Sequence, residues 1–293
     1  MTLRIVHLSD IHFGGELRPA VEAALAAVND IAPDLTVVTG DLTLNGLPRE
    51  FDAARRWLGR LPWPRVVTPG NHDTPYWNLI LRTLAPFDRY RRHIGPAECS
   101  AHDGPGLAAR ALNSARGPQG RLDWSKGALS IPRLSAMDWG DDEEALRLFA
   151  CHHPLVDLAG APVTGGVHCG VEAATVLAAR GIELVLTGHV HVPFAVPLQQ
   201  TRFNSYAVGA GTLSVRTRGF PASFSVINVE TEAFEVVVQG WTGEGFEPLK
   251  IWRLPRRRGG PDEPDLIRPS RIDQAAPPSL QAVLEAAEDG AAL

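Results

Sequence analysis

Short apolar runs rich in β-branched residues recur along this chain, and each stops abruptly at a few polar residues. The first is Leu3–Phe13 (LRIVHLSDIHF), where Ile5, Val6 and Leu8 give way to Ser9-Asp10-Ile11-His12. Residues i and i+2 of an extended chain share a face, so Asp10 and His12 can point together while Ile11 turns into the core. Leu17, Val21, Ala24, Leu25, Val28 and Ile31 then recur at helical spacing, and Pro33 ends that helix. Leu35–Thr39 is a second buried strand, ending at Gly40-Asp41. Strand, helix and strand in succession predict parallel pairing through a right-handed crossover. Pro48 opens another helix, with Phe51, Ala54, Leu58 and Leu61 on one face. Arg65–Thr68 is a third strand, ending at Gly70-Asn71-His72-Asp73.

The middle of the chain is less regular. Tyr76–Arg92 reads as one helix, His93–Gly106 as an exposed loop, and Leu107–Asn113 and Ala128–Ile131 as strands around a Gly/Pro-rich insert. Loops of this kind commonly select substrates. Leu146–Ala150 is again apolar and leads into Cys151-His152-His153-Pro154. A Gly-rich loop over 155–170 precedes a helix, Val171–Arg180, closed by Gly181. The strand Ile182–Thr187 then runs to Gly188-His189-Val190-His191. From Pro193 the pattern is antiparallel: Phe194–Leu198, Arg202–Val208, Phe224–Val229 and Ala233–Gln239 follow one another with turns between. The fold class expected is α/β, a layered β-sandwich of two mixed sheets flanked by helices and containing βαβ units. One domain is expected over 1–254. A Pro/Arg-rich tail or wrapping segment is expected over 255–293, with a short helix at Ser279–Ala287.

Composition narrows the function classes. With 293 residues, 44% hydrophobic and 21% charged, the chain is an ordinary globular one with enough apolar residues for a large core. A formal net charge of −5 argues against a partner of duplex nucleic acid. Cys99, Cys151 and Cys169 include no CxxC pair, so neither a disulfide framework nor a thiolate zinc site is expected. A reducing, cytoplasmic location fits. No run of about 18 apolar residues suggests a membrane span. Asp10 already lies in the first strand, which leaves no room for a cleaved signal peptide.

The chemistry rests on Asp10, His12, Asp41, Asn71, His72, His152, His189 and His191. Each has an ordinary reading alone: a histidine at a strand end is more often a hydrogen-bonded structural residue, and GD or GNHD suits a turn. Jointly, five apolar runs stop at Asp or His, with Gly in front in three of them. A donor set of N and O without thiolate favours Mn, Fe, Zn or similar ions. Seven ligating side chains exceed the needs of one catalytic ion, which keeps positions open. Two ions sharing a carboxylate use the set, and a pair about 3.5–4 Å apart is the usual device for in-line hydrolysis of phosphate esters.

D-x-H at Asp10 and His12, GD at Asp41, GNHD at Gly70–Asp73, HH at His152-His153 and GHxH at Gly188–His191 together resemble the calcineurin-like metallophosphoesterases. The resemblance spans residues 3 to about 240 and implies the metallophosphoesterase fold. GDLTLNGLPREF (Gly40–Phe51) is similar to the class III cyclic-nucleotide phosphodiesterase branch. The resemblance implies two divalent or mixed-valence ions, one held by Asp10, His12, Asp41 and His191, the other by Asp41, Asn71, His152 and His189. It selects His152 because the family ligand lies two residues before the proline, leaving His153 to support the site or face substrate. It directs His72 at the phosphate or leaving oxygen, as general acid or electrostatic stabiliser, with Asp73 orienting or charging it. Asn45 either touches a phosphate or turns the chain with Gly46.

The implied activity is hydrolysis of a small phosphodiester, a 3′,5′-cyclic nucleotide or a glycerophosphodiester, by metal-activated hydroxide. A phosphomonoesterase, a nuclease and a lipid-pyrophosphate hydrolase are rivals within the family. A non-catalytic scaffold member is a rival outside enzyme chemistry, but such members lose ligands and this chain keeps them all. Tyr90–His93 and Arg256–Arg258 read as solvated charged runs, and no metal role is expected of His168 or Cys169.

Overall fold

Ile5 and Val6 are neighbours on the first strand, yet they pack into different layers. Ile5 meets Val37, Leu148, Leu186 and Ile227 between two sheets, whereas Val6 meets Val21, Leu25 and Phe51 under two helices. That alternation is the strand period of two expressed as architecture. The computed structural model describes residues 3–119, 123–156, 167–200 and 204–256.

The first half of the chain contributes β1 (Leu3–Leu8), α1 (Arg18–Ile31), β2 (Leu35–Thr39), α2 (Pro48–Leu58) and β3 (Arg65–Thr68), then a single 3-10 turn at Asn71–Asp73. Two short helices follow, α3 (Leu79–Leu84) and α4 (Asp88–His93). Next come β4 (Cys99–Gly104), β5 (Leu107–Leu112), α5 (Ile131–Ser135), β6 (Leu146–Ala150), α6 (Gly170–Ala179) and β7 (Leu184–Thr187). The last strands are β8 (Phe194–Gln200), β9 (Asn204–Gly209), β10 (Ser223–Val229), β11 (Ala233–Trp241) and β12 (Phe246–Pro255).

One sheet has the order β12-β11-β10-β1-β2-β3 and the other β4-β5-β6-β7-β9-β8. In the first, β1, β2 and β3 are parallel and β10 to β12 antiparallel; in the second, β5, β6, β7 and β9 are parallel. Both sheets are therefore mixed, and helices cover their outer faces, as the apolar pattern predicts. The carboxyl ends of β1, β2, β3, β6 and β7 all lie on one side of the sandwich, the place where open α/β sheets carry their sites.

Several local expectations change. Tyr76–Arg92 is two helices, because Pro86 lacks an N–H and pushes Ala85 out of helical geometry. The loop expected at His93–Gly106 contains β4, an edge strand of CSAHDG whose residues stay half-buried or exposed, so no apolar period marks it. Ala128–Ile131 is not a strand: Ala128 makes one bridge to His168, and Pro132 starts α5. β12 was hidden by Pro248 and by its mostly exposed edge position. Residues 157–166 of the Gly-rich loop, 201–203 of the expected Arg202 strand, Arg257, Arg258 and the Ser279–Ala287 helix lie outside the described residues.

Arg256 is not a solvated residue. Its guanidinium grips Glu183 in a two-pronged ion pair (Nε to Oε1 2.9 Å, Nη2 to Oε2 3.0 Å) and lies 5.3 Å over the Phe234 ring. Glu183 precedes β7, so the pair ties the end of one sheet to the other. Arg256→Ala is expected to lower unfolding free energy by about 3 kcal/mol, because it removes the two-pronged ion pair of a buried carboxylate and the contact with Phe234. A denaturant titration checks this, and an unshifted midpoint refutes it.

His7 is fully buried on β1, with Nε2 2.9 Å from Thr39 Oγ1. Burial pushes its pKa from 6.5 down to about 3, partly opposed by Asp10. The unfolded chain takes up this proton below pH 6.5 while the folded chain refuses it, so stability falls with pH from 6.5 toward 3. This one group is expected to cost about 2 kcal/mol between pH 6.5 and 5. The acid limb of a stability–pH curve should flatten in His7→Gln; an identical limb contradicts the assignment.

Candidate metal centre

The site is assembled by backbone first. The Asp10 N–H donates to Gly40 O (3.0 Å) and the His12 N–H to Asp41 O (3.0 Å), so the ends of β1 and β2 are laced together. Asp10, His12, Asp41, His189 and His191 all have left-handed φ, between 50° and 70°. Only Ala32, Cys169 and Arg218 share this among the other described non-glycine residues. Such conformations cost about 1–3 kcal/mol each and persist where the surroundings impose them. Two glycines make the crowding possible. A Cβ at Gly70 would lie 2.1 Å from Asp41 Oδ1, and one at Gly188 would lie 1.8 Å from Ser9 Oγ.

The side chains then converge. Asp10 Oδ1 is 3.1 Å from His191 Nε2 and 3.7 Å from His12 Nε2. Asp41 Oδ2 is 3.3 Å from His152 Nε2 and 3.7 Å from His12 Nε2. The other carboxylate oxygens are fixed by backbone: the His189 N–H donates to Asp10 Oδ2 (2.9 Å) and the His72 N–H to Asp41 Oδ1 (2.8 Å). Three histidines place Nδ1 near a main-chain carbonyl: His12 near Thr43 O (3.3 Å), His152 near Thr39 O (2.6 Å) and His191 near Arg216 O (2.7 Å). A proton on Nδ1 satisfies each carbonyl and leaves the Nε2 lone pair aimed at the centre, the tautomer a metal requires.

Electrostatics agree. Burial holds His12 at about 3, a neutral imidazole. Burial also depresses His152, but Asp41 beside it and Asp10 outweigh this and lift it to about 9. Burial raises Asp41, yet His152, His72 and His12 carry it well below the ordinary carboxylate range. Without a cation His152 and Asp41 thus hold a proton that a metal displaces. The residues fit cations: Asp10 Oδ1, Asn71 Oδ1 and His152 Nε2 are buried and have no aligned hydrogen-bond partner among the described residues. The donor atoms of Asp10, His12, Asp41 and His191 lie within 4.8 Å of one another, as do those of His152, His153 and His189.

His153 lies with His152 and His189 but differs in its bonding. Its Nδ1 is 2.8 Å from Ser114 Oγ and its Nε2 2.7 Å from Ser125 O, so both ring nitrogens are engaged. Asp73 is also differently placed from expectation. Its carboxylate accepts the N–H groups of Leu42, Thr43 and Gly70 and the Thr43 hydroxyl, all at 2.9–3.2 Å. It braces two loops, and its hydrogen bonds among the described residues go to these groups rather than to the His72 ring. Burial, then Asp41, push it up to about 7 against those donors. His72 is instead oriented by Leu44 O, 2.7 Å from Nδ1, and its Nε2 is 3.3 Å from Arg216 Nη1. Its ring stands edge-on to His12 at 4.8 Å and parallel to Tyr76 at 6.5 Å. Asn45 donates its N–H to Glu50 Oε2 and accepts the Tyr76 N–H, which places it in the turn beside this cluster.

Sequence reasoning missed Thr212, whose hydroxyl donates to Asp10 O (2.6 Å), and Arg216 and Arg218, which arrive from the β9–β10 connection. The sequence signal available was the polar stretch Thr212–Gly219, which interrupts two apolar strands.

Residues 3–193 match the family model described as calcineurin-like phosphoesterase. A protein of Synechococcus sp. named as a probable cyclic nucleotide phosphodiesterase is 29% identical over 209 residues, covering 66% of this chain and 75% of that protein. The glycerophosphodiester phosphodiesterase GpdQ of Enterobacter lignolyticus is 33% identical over 94 residues, 28% of this chain and 34% of its own length. Among solved structures, a dimetal phosphatase from Danio rerio superposes with a TM-score of 0.59 at 11% identity, covering 86% of this chain and 98% of that one. That last likeness concerns the fold.

Proposed function

Because the chain belongs to the calcineurin-like phosphoesterase family and is a phosphoric ester hydrolase, we propose that it is a two-metal phosphodiesterase acting on a small diester. One observation carries the reading: Asp41 Oδ2 lies within 3.7 Å of His12 Nε2 and 3.3 Å of His152 Nε2, the position of a shared ligand. In this reading one ion takes Asp10, His12, Asp41 and His191, and the other takes Asp41, Asn71, His152 and His189. When bound, such ions (Mn, Fe, Zn or similar) would supply acidification of the attacking water and neutralisation of charge on the phosphoryl oxygens.

The chain's own groups do the rest. Leu44 O holds His72 Nδ1–H, so Nε2 is the atom left to meet the departing oxygen; it gives a proton there only as the doubly protonated ring, with the Arg216 contact to Nε2 released. Arg216 holds that ring from the open side. His153, through Ser114, and Asp73, through Thr43, keep the loops in place, and Asn45 would contact a phosphate oxygen from the neighbouring turn. A cyclic nucleotide or a glycerophosphodiester is the substrate favoured, in keeping with the names of the Synechococcus and Enterobacter relatives. A cytoplasmic location, a catalytic domain closed by β12 and a tail over 255–293 complete the proposal. No helix among the described residues is long and apolar enough to cross a membrane.

Chelation tests the reading. Protein stripped of metal is expected to lose hydrolysis of 3′,5′-cyclic AMP and of bis(4-nitrophenyl) phosphate, and to regain it with Mn²⁺ or Zn²⁺. Diester turnover by metal-free protein, or a reconstituted protein that cleaves only monoesters, refutes it.

A further inference from the structure

The connection between β9 and β10 brings two cations to the mouth of the site. It is pinned from within: the Thr212 hydroxyl donates to Asp10 O (2.6 Å), Ser214 Oγ is 2.7 Å from Thr212 Oγ1, and the Arg216 N–H donates to Ser214 Oγ (3.2 Å). The Arg216 carbonyl takes the His191 ring nitrogen while its guanidinium reaches His72. Arg218 follows in a left-handed conformation (φ 52°), with Gly219 at φ 84°. It is half-buried and makes no hydrogen bond or ion pair with any described residue.

That combination is costly. Half-buried cations are ordinarily paired, and two guanidinium groups two residues apart repel. Burial and Arg216 both push the Arg218 pKa down, while Asp10 and Asp41 act on it from the site side. Arg216 uses one of its five N–H donors on His72, and Arg218 uses none on a described residue. A planar fork of donors matches a phosphoryl group. We propose that Arg216 and Arg218 bind a second phosphoryl group of the substrate, one that is not cleaved. The inference rests on the phosphodiesterase reading and adds to its substrates small diesters that carry an additional phosphate.

The test compares thymidine 5′-(4-nitrophenyl phosphate) with the same diester bearing a 3′-phosphate, using the metal-loaded full chain. The 3′-phosphorylated diester is expected to have a kcat/KM about tenfold higher, expressed in KM. Arg218→Gln should bring that ratio down toward one, and Arg218→Lys should keep part of it. Calorimetry with thymidine 3′,5′-bisphosphate and thymidine 5′-monophosphate supplies a readout independent of turnover. There the bisphosphate should bind more tightly, and Arg218→Gln should erase the difference. A wild-type ratio of one, or equal losses for both diesters in Arg216→Gln and Arg218→Gln, overturns the inference. If neither diester is cleaved, the phosphodiesterase reading fails by itself. The calorimetric difference then still decides the arginines: its presence upholds the phosphoryl site, its absence overturns it.

Discussion

Asp41→Ala is expected to lower kcat/KM for diester hydrolysis about 10⁴-fold or more, the size of losing several kcal/mol of metal-derived stabilisation. The reason is positional. One Asp41 oxygen faces both His12 Nε2 and His152 Nε2, and the other accepts the His72 N–H. Removing the carboxylate therefore affects both halves of the ligand set and releases the turn that carries Asn71 and His72. It also deprives His152 of the charge that outweighs burial. Asp41→Asn separates these effects, since it keeps the acceptor for the His72 N–H and removes the charge. Both variants should lose turnover, and Asn should keep more stability. A variant retaining a tenth or more of wild-type activity would place the shared ligand elsewhere.

His72→Ala is expected to act differently. Here kcat should fall about 10²–10³-fold with metal content unchanged, the usual scale for one proton donor or one stabilising contact. Among the described residues the ring nitrogens bond to no carboxylate: Nδ1 meets Leu44 O and Nε2 meets Arg216. Its contribution to Asp41 is the main-chain N–H, which alanine preserves. The leaving group reads the role. If His72 donates a proton, a diester with an alkyl leaving group should suffer more than one releasing 4-nitrophenolate. If it stabilises charge, both should suffer alike. An unchanged kcat with either substrate would remove His72 from the reaction.

The strand ends were legible because each is a contrast of opposite chemistries within a few residues: IVHL before SDIH, LTVVT before GD, LVLT before GHVH. An apolar run followed at once by ligand-type side chains marks the carboxyl edge of a buried parallel sheet, and the edge is where the cluster forms. What stayed hidden depends on contacts between distant residues. His72 and Arg216 are separated by 144 positions, and nothing local to either announces the other. Asp73 follows His72 in sequence, so a charging role seemed natural, but the 3-10 turn rotates its carboxylate back toward Leu42, Thr43 and Gly70. β4 and β12 are edge strands with one open side, where no β4 position and one β12 position is buried, so apolar residues do not mark them. Arg256 reads as one of three successive arginines until Glu183 is found beside it.

The apolar residues Tyr76, Trp77, Leu79, Ile80 and Leu84 are exposed, and Tyr76, packed against Trp77, lies parallel to the His72 ring. Their segment follows GNHD directly, so substitutions there should alter KM among diesters more than kcat.

In the proposed site five strand ends build one centre for two ions, with Asp41 common to both. Metal content per chain, measured by mass spectrometry after equilibration with Mn²⁺ or Zn²⁺, tests this most directly. Two ions are expected in the wild-type protein, about one in His191→Ala, and a loss of both in Asp41→Ala. Two ions retained in Asp41→Ala, or a single ion in the wild type, would contradict it.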